Sequence, residues 1–160
     1  SCYHTWAHEY PRILDEPLGF EIYHSVELLA ELIGEGKIKL NGFSQSITYH
    51  DPCDLGRTSG IYDAPRRVIE AIPGIQFTEM ADNRELSLCC GGGGDAEMAD
   101  PSVTAAVSKR RIEQAQATGA QVVVSACQQC NRTLAEAARK NRIRMRAMDI
   151  TEVVWQAMQE

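Results

Sequence analysis

Residues 121–138 read QVVVSACQQCNRTLAEAA, and this stretch decides the fold. Gln121 to Ser125 is the most strand-like run in the chain, with three consecutive β-branched valines. Leu134, Ala135 and Ala138 then recur at helical spacing, so a strand passes into a helix across Cys127-Gln128-Gln129-Cys130. The same alternation extends in both directions. Upstream, Ser46 to Tyr49 (SITY) is short and β-prone and runs into His50-Asp51-Pro52-Cys53, where Pro52 stops regular pairing. Pro65 fits the first turn of a helix through Val68, Ile69 and Ile72, and Pro73-Gly74 ends it before a predicted strand from Ile75 to Met80. Leu86 to Leu88 reads as another short strand, leading into Cys89-Cys90-Gly91-Gly92-Gly93-Gly94. Pro101 and Ser102 open a helix with Val103, Val107 and Ile112 on its apolar face, closed by Gly119. At the outer ends, Ser25 is expected to cap a helix carrying Val26, Leu29, Leu32 and Ile33, with Gly34 at its C-cap. Ile143 to Met148 and Ile150 to Met158 read as a last strand and a last helix.

Such a string packs as a three-layer α/β domain, Rossmann-like, with a mainly parallel central sheet and helices on both faces. Its 160 residues suit one ordinary domain, and 44% hydrophobic with 24% charged residues predicts a packed core. With 16 Lys and Arg against 22 Asp and Glu, the chain is poorly suited to grip nucleic acid. The longest apolar runs, such as Val122 to Ala126, are far too short to span a bilayer as a helix. The start at Ser1, with neither an initiator Met nor a signal-peptide pattern, reads as a cut inside a longer protein.

In open α/β sheets, sites form at the carboxyl ends of the strands. Cys53, Cys89, Cys90 and Cys127 all follow predicted strand ends, and Cys130 opens a predicted helix whose N-terminus favours thiolate. Cys53 and Cys89 enclose 35 residues, Cys90 and Cys127 enclose 36, and Cys127 and Cys130 enclose two. Three readings compete. Some of the thiols are small core hydrophobes, the common fate of free Cys, although a vicinal pair beside four glycines is an odd core. A structural zinc wants a closed set of four ligands, leaving one thiol surplus. An iron-sulfur cluster distributes five thiolates over several irons more easily. The glycine run matches neither the dinucleotide nor the Walker A pattern. Gly91 and Gly92 instead let the backbone turn sharply, approach sulfur closely and offer amide N–H groups to negative charge.

His50-Asp51-Pro52-Cys53-Asp54-Leu55-Gly56-Arg57, Pro65-Arg66, Cys89-Cys90-Gly91-Gly92-Gly93-Gly94 and Cys127-Gln128-Gln129-Cys130 together resemble the cysteine-rich, or CCG, domain family. That family includes the catalytic subunits of heterodisulfide reductases and the iron-sulfur subunits of glycolate and lactate oxidising complexes. The resemblance implies a 4Fe-4S cluster on Cys53, Cys89, Cys90, Cys127 and Cys130, of a noncubane type in heterodisulfide reductases. It implies electron transfer or disulfide reduction, in an oxidoreductase of which this chain is an inactive fragment. It also implies a preceding copy of the domain, of which Cys2 is a remnant ligand, and a ferredoxin-type domain in the parent chain. Other iron-sulfur or flavin subunits would be partners, in a cytoplasmic setting peripheral to the membrane. Residues 1–45 then form a connecting segment with the first βα elements, and 46–160 the cysteine-rich domain. The competing expectation is a zinc-bearing or metal-free interaction domain of a redox complex.

His50, Arg57 and Arg66 flank the first cysteine. All three are placed to tune the cofactor's potential or hold an anionic substrate, and Arg57 and Arg66 equally to brace loops by pairing with Asp51, Asp54 or Asp63. His4 and His8, four apart, would share a helix face and form a metal pair with Cys2, but such pairs are more often surface or packing residues. Trp6 and Trp155 read as packing residues on helices.

Overall fold

A computed structural model describes residues 2–159, so Ser1 and Glu160 lie outside the described residues. The sheet comprises β1 (Ser46–His50), β2 (Gln76–Phe77), β3 (Val122–Ser125) and β4 (Arg146–Asp149), in the order β2-β1-β3-β4 with every neighbouring pair parallel. Eight α-helical segments accompany it among the described residues. They are α1 (Cys2–His4), α2 (Tyr10–Leu14), α3 (Ser25–Gly34), α4 (Asp63–Glu70), α5 (Ala96–Ala99), α6 (Pro101–Ala117), α7 (Gln128–Lys140) and α8 (Ile150–Gln159). A π-turn at Thr5–Glu9 joins α1 to α2, another spans Asp54–Thr58, and a 3-10 turn spans Arg84–Leu86.

Alternation along each strand sorts the helices into two outer layers. Ile47, Tyr49, Val122 and Val124 point to one face, where they pack with Val26 of α3, Val68 and Ile69 of α4, and Val153 and Ala157 of α8. Val123 points the other way, into Ile112 and Ala115 of α6 and Leu134 and Ala138 of α7. The fold is therefore the expected three-layer α/β arrangement with a parallel sheet. No helix among the described residues is long and apolar enough to cross a membrane.

From β1 the chain departs through α4 to β2, whereas from β3 it departs through α7 to β4 on the opposite side. Crossovers leaving in opposite directions cover opposite faces, because parallel connections keep one hand. A crevice opens between β1 and β3 at their carboxyl ends, where this order reverses. His50 pairs in register with Ser125, and Ser125 with Asp149, so the three strand ends lie level there.

Local expectations differ from the structure at several points. His24, not Ser25, is the N-cap of α3: its Nδ1 accepts from the Val26 N–H at 3.3 Å, and Glu27 accepts from the His24 N–H at 2.9 Å. Gly34 is the last helical residue, with Glu35 at the C-cap. The strand expected over Ile75–Met80 shrinks to Gln76–Phe77 at the sheet edge, where only β1 offers partners. Leu86–Leu88 forms no strand: the Leu86 and Ser87 amides bond back to the Asn83 and Arg84 carbonyls in a 3-10 turn, and Asp51 holds that turn through the Arg84 N–H and the Ser87 hydroxyl. No strand precedes β1 among the described residues, so 2–45 contribute helices rather than a βα pair. Val103 is exposed and α6 instead buries Thr104, Ser108 and Arg111. Trp155 projects from α8 with 62% of its surface exposed, and Trp6, 43% exposed, packs edge-on against Tyr10 at 4.6 Å.

Candidate metal centre

Three chain returns deliver the cysteines to the crevice. Pro52 ends β1 and the π-turn that follows places Cys53 on the exposed rim. Ala126 carries the chain from β3 to Cys127 at the N-cap of α7, and the first turn of that helix seats Cys130 in the core. Cys89 and Cys90 arrive on an irregular segment held by Asp51. The Asp51 side chain accepts the Arg84 N–H at 2.8 Å, and its carbonyl accepts the Ser87 hydroxyl at 3.2 Å. Asp51 itself is locked by Arg66, which also reaches Glu79. Of the alternatives for Arg66, the bracing role is the one its contacts describe.

The five thiols form one continuous series. Cys53 and Cys90 both act on Cys89, while Cys130 acts on Cys127 and on Cys90. The proton distribution follows from these bonds. Cys53, then Cys90, hold Cys89 as thiolate and bring its pKa down to about 2, with the Gly91 N–H adding to the effect against the cost of burial. The Cys130 thiol, and after it the backbone amides of Cys130 and Gln129, lower Cys127 to about 6. For Cys90 the Cys130 bond pulls downward, but its own bond to Cys89 and its burial prevail and raise it to about 11. Cys53 is raised first by its bond to Cys89 and then by burial, and Cys130 first by its bond to Cys127. Cys89 and Cys127 are thus pushed toward thiolate, and Cys53, Cys90 and Cys130 toward thiol, so a cation bound there would displace protons.

The glycines close around the vicinal pair. Gly91 has φ of 82°, and this left-handed turn aims its N–H at the Cys89 sulfur, 3.3 Å away. A Cβ on Gly92 would stand 2.0 Å from Thr133 Oγ1, so this glycine lets the loop press onto α7, where Gln129 Nε2 donates to the Gly92 carbonyl at 2.7 Å. Arg57 is exposed on the π-turn, and its charge acts on Cys53.

His50 is fully buried at the end of β1, with one ring nitrogen within 4.8 Å of the Cys90 and Cys130 sulfurs. Burial first, and then the neighbouring Arg111 cation, lower its pKa to about 3. Sequence reasoning missed Arg111, which is 0% exposed and donates to His50 Nδ1 at 2.9 Å and to the Ser87 hydroxyl at 2.9 Å. The available signal was its spacing, since Thr104, Ser108, Arg111 and Ala115 share one inward face of α6. Among the described residues Cys2, His4 and His8 form no metal-ligating group. The His4 and His8 rings adjoin at 4.8 Å, with His4 facing Glu9. Cys2 lines a cleft of about 890 Å³, together with Trp6, Phe20, Tyr23, Pro52 and Cys127.

A parallel α/β sheet whose carboxyl edge gathers remote cysteines defines a thiol-rich class of domain. The family model described as "Cysteine-rich domain", CCG, matches residues 47–135, and the chain belongs to that family. It is similar to a subunit of the dihydromethanophenazine:CoB--CoM heterodisulfide reductase of Methanosarcina mazei, at 39% identity over 99% of this chain and 39% of that protein. It also resembles the EtfAB:quinone oxidoreductase of Syntrophomonas wolfei, at 32% identity over 98% of this chain and 23% of that protein. One of the subunits of the fumarate reductase (CoM/CoB) of Methanothermobacter marburgensis matches at 28% identity over 96% of this chain and 30% of its own length. The chain therefore spans less than two fifths of each of these relatives.

Proposed function

We propose that this chain is the cluster-binding module of an iron-sulfur oxidoreductase of heterodisulfide reductase type. The observation that carries the reading is the unbroken series of five thiols, drawn from three remote segments to one crevice. The donor set fits a 4Fe-4S cluster with Cys53, Cys89, Cys90, Cys127 and Cys130 as ligands. Five sulfurs exceed the four that one tetrahedral ion accepts, and adjacent Cys89 and Cys90 suit a noncubane arrangement. When bound, such a cluster supplies single electrons, for transfer onward or for reducing a disulfide.

The chain's own residues prepare the place. The Gly91 amide offsets negative charge at Cys89, and the start of α7 does the same at Cys127. The aromatic cleft beside Cys127 and Pro52 gives a substrate or a neighbouring redox module access to the rim. Other iron-sulfur or flavin subunits, a preceding copy of the domain and a ferredoxin-type domain are the partners that this reading requires, since no second cysteine series occurs within residues 46–160 to bring electrons in. A cytoplasmic location, peripheral to the membrane through those partners, goes with it. Residues 46–160 would be the functional unit, with 1–45 connecting it to what precedes.

The test is anaerobic purification of the full-length protein with iron supplied. Brown protein with broad visible absorption and about four irons for this site is expected. Colourless protein carrying one zinc overturns the proposal.

A further inference from the structure

Arg111 brings a guanidinium into the core with no carboxylate of the described residues in hydrogen-bond contact. Its partners are His50 Nδ1, the Asp82 carbonyl, the Gln114 side-chain oxygen and the Ser87 hydroxyl, all at 2.8–2.9 Å. Buried charge without an opposing charge is costly. The negative groups acting on it from beyond hydrogen-bond reach are Asp51 and then Asp82.

Arginine is always a donor, so its Nε–H obliges His50 Nδ1 to present a lone pair. A neutral imidazole accepting at Nδ1 carries its hydrogen on Nε2. That Nε2 is buried and has no partner, although the ring lies against Cys90 and Cys130. An unpaired N–H in the core beside a collection of sulfurs is a donor held ready for an acceptor.

On the reading that the thiols hold an iron-sulfur cluster, we propose that His50 donates its Nε2–H to a sulfur of that cluster and is not an iron ligand, with Arg111 as the positioning residue that fixes the tautomer. Ligation through Nε2 would need the hydrogen on Nδ1, setting N–H against N–H across the Arg111 contact. Hydrogen bonds to cluster sulfurs stabilise the more negative, reduced form and raise the reduction potential. Arg111 adds positive charge on the same side.

The experiment uses the full-length protein, loaded anaerobically and labelled with ¹⁵N-histidine, with pulsed electron paramagnetic resonance in H₂O and D₂O. The expected spectrum shows an exchangeable proton coupled to the cluster and a weak histidine nitrogen coupling, both lost in His50→Leu. In redox titrations, His50→Leu is expected to keep the parent's iron content but to have a lower potential, and His50→Gln, which retains an N–H, to lie nearer the parent. Arg111→Met should lower the potential in the parent, and by less in a His50→Leu background, where only its charge remains to be lost. If Arg111→Met does not fold, the spectra of the unaltered protein decide. Nitrogen coupling of coordinated strength, iron loss confined to His50 variants, or a cluster without any exchangeable histidine proton overturns the inference and leaves the cluster reading standing. A protein that assembles no iron-sulfur cluster sinks both.

Discussion

Arg66 and Asp51 meet through two parallel hydrogen bonds, Nη1 to Oδ1 at 2.8 Å and Nη2 to Oδ2 at 2.9 Å, with side chains only 5% and 2% exposed. The pair joins α4 to the turn between β1 and Cys53, and through Arg84 and Ser87 it extends to the segment before Cys89. Removing one member of a buried ion pair strands the other, at a cost of about 3–5 kcal/mol. Arg66→Met is expected to lose about that much stability in denaturant unfolding and to bind less iron, because two cysteine-bearing segments lose their common anchor. Arg66→Lys cannot reproduce the planar fork and should recover only part of the loss. Unfolding curves for both variants overlaying the parent would refute this.

Most of this fold was legible from periodicity, because strands buried on both faces, such as Val122 to Val124, announce themselves as apolar runs. The positions of Cys53, Cys127 and Cys130 followed from that pattern, since each lies at a strand exit or the helix start beyond it. The route to Cys89 and Cys90 was not legible: Leu86 to Leu88 looks like a strand, but its amides bond back into a 3-10 turn that Asp51, over thirty residues away in sequence, holds at Arg84 and Ser87. Arg111 was missed for a related reason. Its burial is underwritten by His50 and Ser87, acceptors that only the folded chain brings near. Arg66, by contrast, is recognisable in the sequence as a partner for Asp51, and pattern alone leaves its role undecided between bracing and binding.

Cys127 offers a test in the metal-free protein. Its pKa falls from an ordinary thiol value to about 6, chiefly through the Cys130 hydrogen bond and then the amides at the start of α7. A depressed thiol pKa adds stability above the unfolded value, and that stability is lost as pH falls through the folded one. Between about pH 6 and pH 9, therefore, the folded chain holds thiolate where the unfolded chain holds thiol, and thiol-specific alkylation of Cys127 should rise around pH 6. Cys130→Ala removes the main donor and should move that onset upward. Mass-spectrometric labelling across about pH 5–9 checks both, and an onset near pH 9 in the parent would refute the thiolate assignment.

Gly92 tests how closely the cysteine loop must press against α7. An alanine Cβ would overlap Thr133 Oγ1, so Gly92→Ala should cost about 1–3 kcal/mol as the loop shifts. Thr133→Ala removes the obstructing oxygen and should return part of that stability in the double variant, although the Gln129 side chain at 3.0 Å remains close. Thermal unfolding of the two single variants and the double variant measures the coupling. Strict additivity would show that the overlap does not set the cost.

The vicinal cysteines differ in burial and in the direction of their pKa shifts. Cys89 is the half-buried thiolate that receives hydrogen bonds from both Cys53 and Cys90, whereas Cys90 is 2% exposed and protonated. Cys89→Ser should therefore abolish the strongest preformed anion in the crevice and most of the iron binding. Cys90→Ser keeps a donor of similar size facing Cys89, so its fold should survive while any cluster that uses both sulfurs changes its spectrum. Iron analysis and electron paramagnetic resonance on the two variants distinguish the outcomes. If the Cys90→Ser spectrum matches the parent while Cys89→Ser loses iron, only four thiols are ligands and the cluster is an ordinary cubane. If both variants alter the spectrum, the adjacent pair serves the cluster jointly, as five ligands require.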